Sequence, residues 1–258
     1  MSGFKISTMN QNPIDFKRLF LFLIVAIPLS NIFRFDVFGL STSLQRLPIW
    51  LYLLITVLLE GSGVFIGAMI GRYLLKKQCK VEISLFGTSV QKGLLMSLVP
   101  IVLLSIIGVK NSHGLSPHLY GLIAGIGSWI YCILEEYGWR GYLQEEFKDQ
   151  KPPVRYLLIG FIWYFWHLIF LENTSPYDNL FILAMMIFGS WGIGKIVELT
   201  KSIMASACFH LIIQIMMFGS FIKNGIDLTQ KLIIFGISVS LWVIILRQWD
   251  KQKKLEIR

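Results

Sequence analysis

The sequence predicts an all-α fold, a polytopic transmembrane helix bundle of about eight spans. Three observations predict it. Hydrophobic residues make up 55% of the 258 and charged residues only 15%, where a soluble domain carries about 25% charged. The mean hydropathy is +0.64, and the apolar residues fall in long runs, several near the ~20 residues that cross a bilayer. The Lys and Arg residues gather in alternate polar clusters between those runs, as segments on one side of a membrane do.

Residues 1–16 are polar and mixed, with Asn10, Gln11, Asn12 and Pro13, and read as an N-terminal tail. Residues 17–250 form a single transmembrane helical domain, and 251–258 a polar C-terminal tail that lacks a terminal Cys-a-a-X signal. The apolar runs lie at 19–33, 49–75, 93–109, 119–134, 154–171, 180–197, 203–222 and 232–249. The first follows Lys17 and Arg18, as a signal peptide would, yet no small-residue cleavage site comes after it, so it reads as a retained span. On the second run Gly63, Gly67 and Gly71 recur every four residues, and Gly121 and Gly125 do so on the fourth. Small residues at that spacing let helix backbones approach closely. Gly189, Gly192 and Gly194 predict a break in the sixth run and a place for it inside the bundle. Of the polar stretches, 76–92 and 145–155 are basic loops, and 172–179 is a short acidic turn around Pro176. Pro152 and Pro153 end any helix running on from Arg140.

The net charge of +9 is not the footprint of a nucleic-acid binder. Most of the 24 Lys and Arg residues fall in the N-terminal segment, the two basic loops, the stretch near Lys201 and the C-terminal tail. That asymmetry predicts a multi-pass protein of the cell membrane with both termini in the cytoplasm. The basic surplus meets anionic lipid headgroups, so membrane lipid is the expected partner and nucleic acid is not. The three cysteines, Cys79, Cys132 and Cys208, have no paired spacing, which argues against a disulfide framework or a cysteine zinc site. Cys132 and Cys208 read as small buried apolar residues. Nothing in the sequence sets an oligomeric state.

Three runs carry polar groups that packing alone explains poorly. On the fourth, Glu135 and Glu136 stand side by side before Arg140. A carboxylate in hydrocarbon costs several kcal/mol or more unless paired or hydrated. Glu136 and Arg140 are spaced i, i+4 and suit an ion pair on one helix face. Glu135, rotated by about 100°, is left to point into the bundle, where an apolar pocket suits a carboxylate to activate water. The bland alternative is a glutamate pair snorkelling to interfacial water. The fifth run places His167 after Trp163, Tyr164, Phe165 and Trp166, mid-span, where polar groups face a partner or a cavity. On the seventh, His210 and Gln214 share a face. They either aim two donors at a developing oxyanion or bond to each other and lock a helix contact. Together the three runs make a plausible intramembrane hydrolytic site. It would work through a carboxylate with no cofactor, or through a zinc ion held by Glu135, His167 and His210.

Glu60 lies within the second run and either pairs with Arg34 or Arg46 or lines a cavity. Glu198 and Lys201 read as part of a solvated helix end.

These motifs resemble those of the CAAX-protease and bacteriocin-processing (Abi) family of intramembrane peptidases. Its Glu-Glu-x-x-x-Arg motif is matched in full by Glu135, Glu136 and Arg140. Its Phe-x-x-x-His motif is matched at His167 with Trp163 in the Phe position, and its His-x-x-x-Asn motif at His210 with Gln214 in place of Asn. The resemblance covers about residues 90–220. It implies a helical bundle with a site open toward the cytoplasm, in which Glu135 activates water with help from His167, Glu136 and Arg140 support the site, and His210 and Gln214 hold the oxyanion. The extra methylene of Gln214 moves its amide by about 1 Å, a displacement that can cost on the order of 100-fold in rate.

The resulting reading is an intramembrane endopeptidase acting on a membrane-associated peptide or protein. The Ile-, Lys- and Phe-rich composition points to a bacterial role in peptide maturation, bacteriocin self-immunity or signalling. One rival is a non-catalytic immunity protein or scaffold of the same fold, supported by Gln214. The other is a transporter using Glu60, Glu135 and Glu136 as a cation path, against which stands the lack of repeated halves.

Overall fold

The computed structural model describes residues 14–75, 82–168, 175–222 and 224–256. Residues 1–13 of the N-terminal tail, 76–81 of the first basic loop with Cys79, 169–174 at the end of the fifth run, Lys223, and 257–258 lie outside them.

Helices fall on all eight apolar runs: α1 (Phe16–Arg34), α3 (Ile49–Leu74), α4 (Val90–Ile107), α5 (Pro117–Gly138), α7 (Pro152–Trp166), α8 (Pro176–Thr200), α9 (Ile203–Ile213) and α10 (Leu228–Glu256). Two short turns, α2 (Leu40–Leu44) and α6 (Gln144–Glu146), join them. The starts follow from the sequence. Asp15, Ser89, Ser116, Ser175 and Ser202 accept hydrogen bonds from backbone N–H groups of the first turns of α1, α4, α5, α8 and α9, and Pro117, Pro152 and Pro176 sit where a missing N–H costs nothing. Asp227 and Gln230 cap α10 reciprocally.

The fold class expected from the sequence is correct. Among the described residues, six helices are long and apolar enough to cross a membrane: α1, α3, α4, α5 with its continuation to Glu146, α8 and α10. The helices α7 and α9 are shorter; at about 1.5 Å per residue, the 15 residues of α7 rise only about 22 Å. His167 follows directly on α7, His210 lies on α9, and Gln214 follows directly on α9.

Two local expectations are revised. The helix α8 runs unbroken through Gly189, Gly192 and Gly194. A helical glycine costs only about 1 kcal/mol, and here close packing offsets it: the Tyr156 ring occupies the place of a Gly194 side chain, and Gly160 of α7 leaves the same room for Ile187 of α8. After α5 the chain continues as a π-turn, Trp139–Leu143, and then α6. The prolines 152 and 153 therefore do not end that helix; they begin α7.

Gly63 and Gly67 bring α3 against Ser30 and Phe22 of α1, and Gly121 brings α5 onto Leu104 of α4, as the four-residue spacing predicts. One end of the bundle is tied by Arg18, buried and bonded to Glu146 at 2.7 Å and 3.0 Å, and by Arg155, which joins Glu198 at 2.9 Å. Glu198 also accepts from Lys195 and the Tyr156 hydroxyl, and Lys201 pairs with Glu82, so this helix end is a cross-linked junction as well as a wet one. At the other end Asp36, in a left-handed turn after α1, accepts from the backbone of Ser41 and Thr42 and from the Thr42 hydroxyl, which holds its carboxyl below the usual carboxylate range.

Candidate active site

Two i, i+4 pairs on consecutive positions organise the end of α5. Glu136 Oε1 accepts from Arg140 Nη1 at 3.2 Å, with both side chains fully buried. Glu135 Oε2 accepts from the indole Nε1 of Trp139, also at 3.2 Å. Arg140 lies in the π-turn, with its guanidinium 4.9 Å from the centre of the Trp163 ring. A large ring at position 163 thus serves as a floor for Arg140, which the bulkier Trp in place of Phe does well.

Across from α5, α9 presents His210. Its Nδ1 stands 3.0 Å from Glu136 Oε1, and its Nε2 stands 3.8 Å from Glu135 Oε2 and 3.5 Å from the amide nitrogen of Gln214. The two sequence alternatives for this face resolve toward mutual contact: Gln214 reaches His210. A second π-turn, Gln214–Phe218, begins at that glutamine. Both π-turns of the described residues therefore sit at site residues, where widened helical turns often occur.

His167 caps α7. Its Nδ1 lies 2.8 Å from the Trp163 carbonyl, which can only accept, so Nδ1 carries the hydrogen and Nε2 is the acceptor nitrogen of the neutral ring. The Cys132 and Cys208 side chains are buried, as expected, and Cys208 lies against Ser97.

The charges nearly balance. Glu135, Glu136, Arg140 and His210 form a buried cluster of two carboxyl groups, one guanidinium and one imidazole. Buried charges must be compensated, and within the cluster Arg140 and His210 both contact Glu136. Four of its atoms, Glu135 Oε1, Glu136 Oε2, Arg140 Nε and Arg140 Nη2, have no hydrogen-bond partner among the described residues. Orphans of this kind call for water.

Beside the cluster lies a cavity of about 420 Å³, lined by Arg34, Glu60, Ser128, Tyr131, His167, Gln214 and the segment from Phe218 to Phe221. His167 and Gln214 face it, whereas Glu135, Glu136, Arg140 and His210 stand behind its wall. The expectation that Glu135 points directly into the cavity is thus modified: its carboxyl lies one layer deeper, because Trp139 holds one oxygen. Sequence reasoning missed Trp139, Tyr131, Ser128 and the 218–221 segment. Trp139 was legible, since it stands four residues after Glu135 just as Arg140 does after Glu136. The others reach the cavity only through helix packing.

The cavity lies at the bundle end where α1, α7 and α9 finish. Both described chain ends, and the loops bearing Glu82, Lys148 and Lys201, lie at the opposite end. Termini in the cytoplasm and a mouth toward the cytoplasm, the two expectations drawn from charge and from resemblance, therefore exclude each other.

The zinc alternative does not fit these side chains as placed. Among the described residues no three His, Cys, Asp or Glu groups converge as metal ligands.

Fold and site define a multi-pass helical membrane protein with a buried carboxylate–histidine–arginine cluster beside a cavity. Residues 117–216, from the start of α5 into the second π-turn, match the family model described as Rce1-like, type II CAAX prenyl endopeptidase Rce1-like. This is the family that the three motifs resemble, and the matched segment holds all six candidate site residues. No curated protein matches the chain.

Proposed function

We propose that the chain is an intramembrane endopeptidase of glutamate type, hydrolysing a peptide bond in a membrane-associated peptide or protein. The observation that carries this reading is the Glu135 carboxyl. It is buried, bonded through one oxygen to Trp139 and orphaned at the other, beside His210 and behind the wall that His167 and Gln214 form. A water molecule bound to the orphaned oxygen gives a proton to Glu135, with Nε2 of His167 as the second acceptor. Its oxygen adds to the substrate carbonyl in the cavity, and the proton passes to the departing amine as the C–N bond breaks. The Gln214 amide and the His210 ring stabilise the oxyanion. Glu136 and Arg140 hold His210 in register.

The expected setting is bacterial peptide maturation, bacteriocin self-immunity or signalling. A comparison of peptides in cells that carry the wild type, Glu135→Gln or no protein tests the reading. Products present only with the wild type support it; unchanged processing by a folded, inserted Glu135→Gln protein sinks it. One observation favours the second reading, a non-catalytic scaffold: Gln214 closes on His210 instead of standing free to meet substrate. On that reading Glu135→Gln changes no peptide.

A further inference from the structure

Glu60 belongs to none of the three motifs, yet it lines the same cavity as His167 and Gln214. It lies eleven residues into α3, about 16 Å along the helix at 1.5 Å per residue. The side chain is half-buried, and among the described residues it makes no hydrogen bond or ion pair. An unpaired carboxylate in a largely apolar cavity is costly unless something cationic meets it.

The cation that acts on Glu60 within the protein is Arg34, which lines the same cavity and is already held. Its Nη1 donates to the His167 carbonyl at 3.3 Å and lies 3.5 Å from Asn31 Oδ1, and its guanidinium stacks 4.4 Å from the Trp166 ring. Arg34 is therefore fixed to the wall made by α1 and α7, while Glu60 is fixed to α3. Arg34 and Glu60 both line this cavity, and among the described residues no ion pair closes between them. Of the two, Glu60 is the one that makes no hydrogen bond or ion pair among the described residues.

We infer that Glu60 is a substrate-recognition residue that takes a cationic group, an ammonium or guanidinium, of the peptide bound in this cavity. The inference rests on the peptidase reading only for the ligand being a peptide. The cation comes either from a Lys or Arg side chain or from a free N-terminal amine. Glu60 does not touch the reacting bond in this account; it fixes which peptides are held beside His167.

Binding tests this without requiring turnover. Full-length protein in nanodiscs is titrated with short apolar peptides in matched pairs: Lys against norleucine at one position, and a free against an acetylated N-terminus. The wild type should bind the cationic member of at least one pair at least tenfold more tightly, and which pair identifies the source of the cation. Glu60→Gln should bring that ratio to about one while leaving the neutral peptide's affinity unchanged, and Glu60→Asp should keep part of it. Equal binding within both pairs by the wild type overturns the inference, as does a ratio that survives in Glu60→Gln. Glu135→Gln should keep the binding ratio and lose cleavage. A Glu135→Gln protein that binds selectively while the wild type cuts nothing thus refutes the peptidase reading and leaves the Glu60 site standing.

Discussion

Removing Arg140 is the most informative perturbation of the frame. Its contact with Glu136 is 3.2 Å long with both side chains fully buried. At an effective dielectric near 20, the bare attraction at that distance is about 5 kcal/mol, and desolvation of both groups offsets much of it. The asymmetric change is larger than the net worth of the pair: deleting one partner of a buried pair costs about 3–5 kcal/mol, because the other charge stays buried. Arg140→Met still leaves Glu136 its contact with His210 at 3.0 Å, so a loss near the lower bound, about 3 kcal/mol, is expected. For a chain of this size that corresponds to roughly 6–12 °C in Tm. Cys132 and Cys208, both free and buried, report unfolding directly through a thiol-reactive fluorophore in a Cys79→Ser background. The double variant Glu136→Gln with Arg140→Met removes both charges and should regain most of the loss. An Arg140→Met protein as stable as the wild type, or a double variant worse than the single, would refute the argument.

Other outcomes follow from the same geometry. Gln214→Asn withdraws the amide from His210 by about 1 Å and should raise cleavage, whereas Gln214→Leu should lower kcat by about 10²–10³; peptide turnover in proteoliposomes checks both. Because the ligands do not converge on a zinc site, purified protein should hold only traces of zinc and a chelator should leave its rate unchanged, as metal analysis beside a rate assay would reveal. With the termini in the cytoplasm, as the charge asymmetry predicts, the cavity mouth faces out of the cell, and a cysteine at Ser220, but not one at Lys251, should react with an impermeant maleimide in intact cells. The reverse pattern would place the mouth in the cytoplasm. Gly160→Val drives a side chain into Ile187 of α8 and should cost about 1–3 kcal/mol, read by the same thiol assay.

Much of the site was legible because its order is local. The i, i+4 spacing places Glu136 on Arg140 and His210 beside Gln214, and both contacts form. The helical class and the glycine contacts between α1 and α3 follow from composition and spacing in the same way. Local pattern does not register which helices enclose which. Hydropathy alone treats α7 and α9 as spans, although their apolar surface meets other helices as well as lipid. It treats three glycines as a break in α8, although Tyr156 fills the space beside Gly194. The π-turns at Arg140 and Gln214 also have no periodic signature. Arg34 and Glu60 could be named as charges out of place, but only packing brings them to the cavity that holds His167.

The central claim is that water held by Glu135 enters the cut peptide bond. The direct measurement is mass spectrometry of a lipid-anchored peptide incubated in H2¹⁸O with the reconstituted wild type and with Glu135→Gln. The account predicts one ¹⁸O in the new C-terminal carboxylate with the wild type, and no cleavage with a folded Glu135→Gln protein. Cleavage and ¹⁸O incorporation that persist in Glu135→Gln would contradict it.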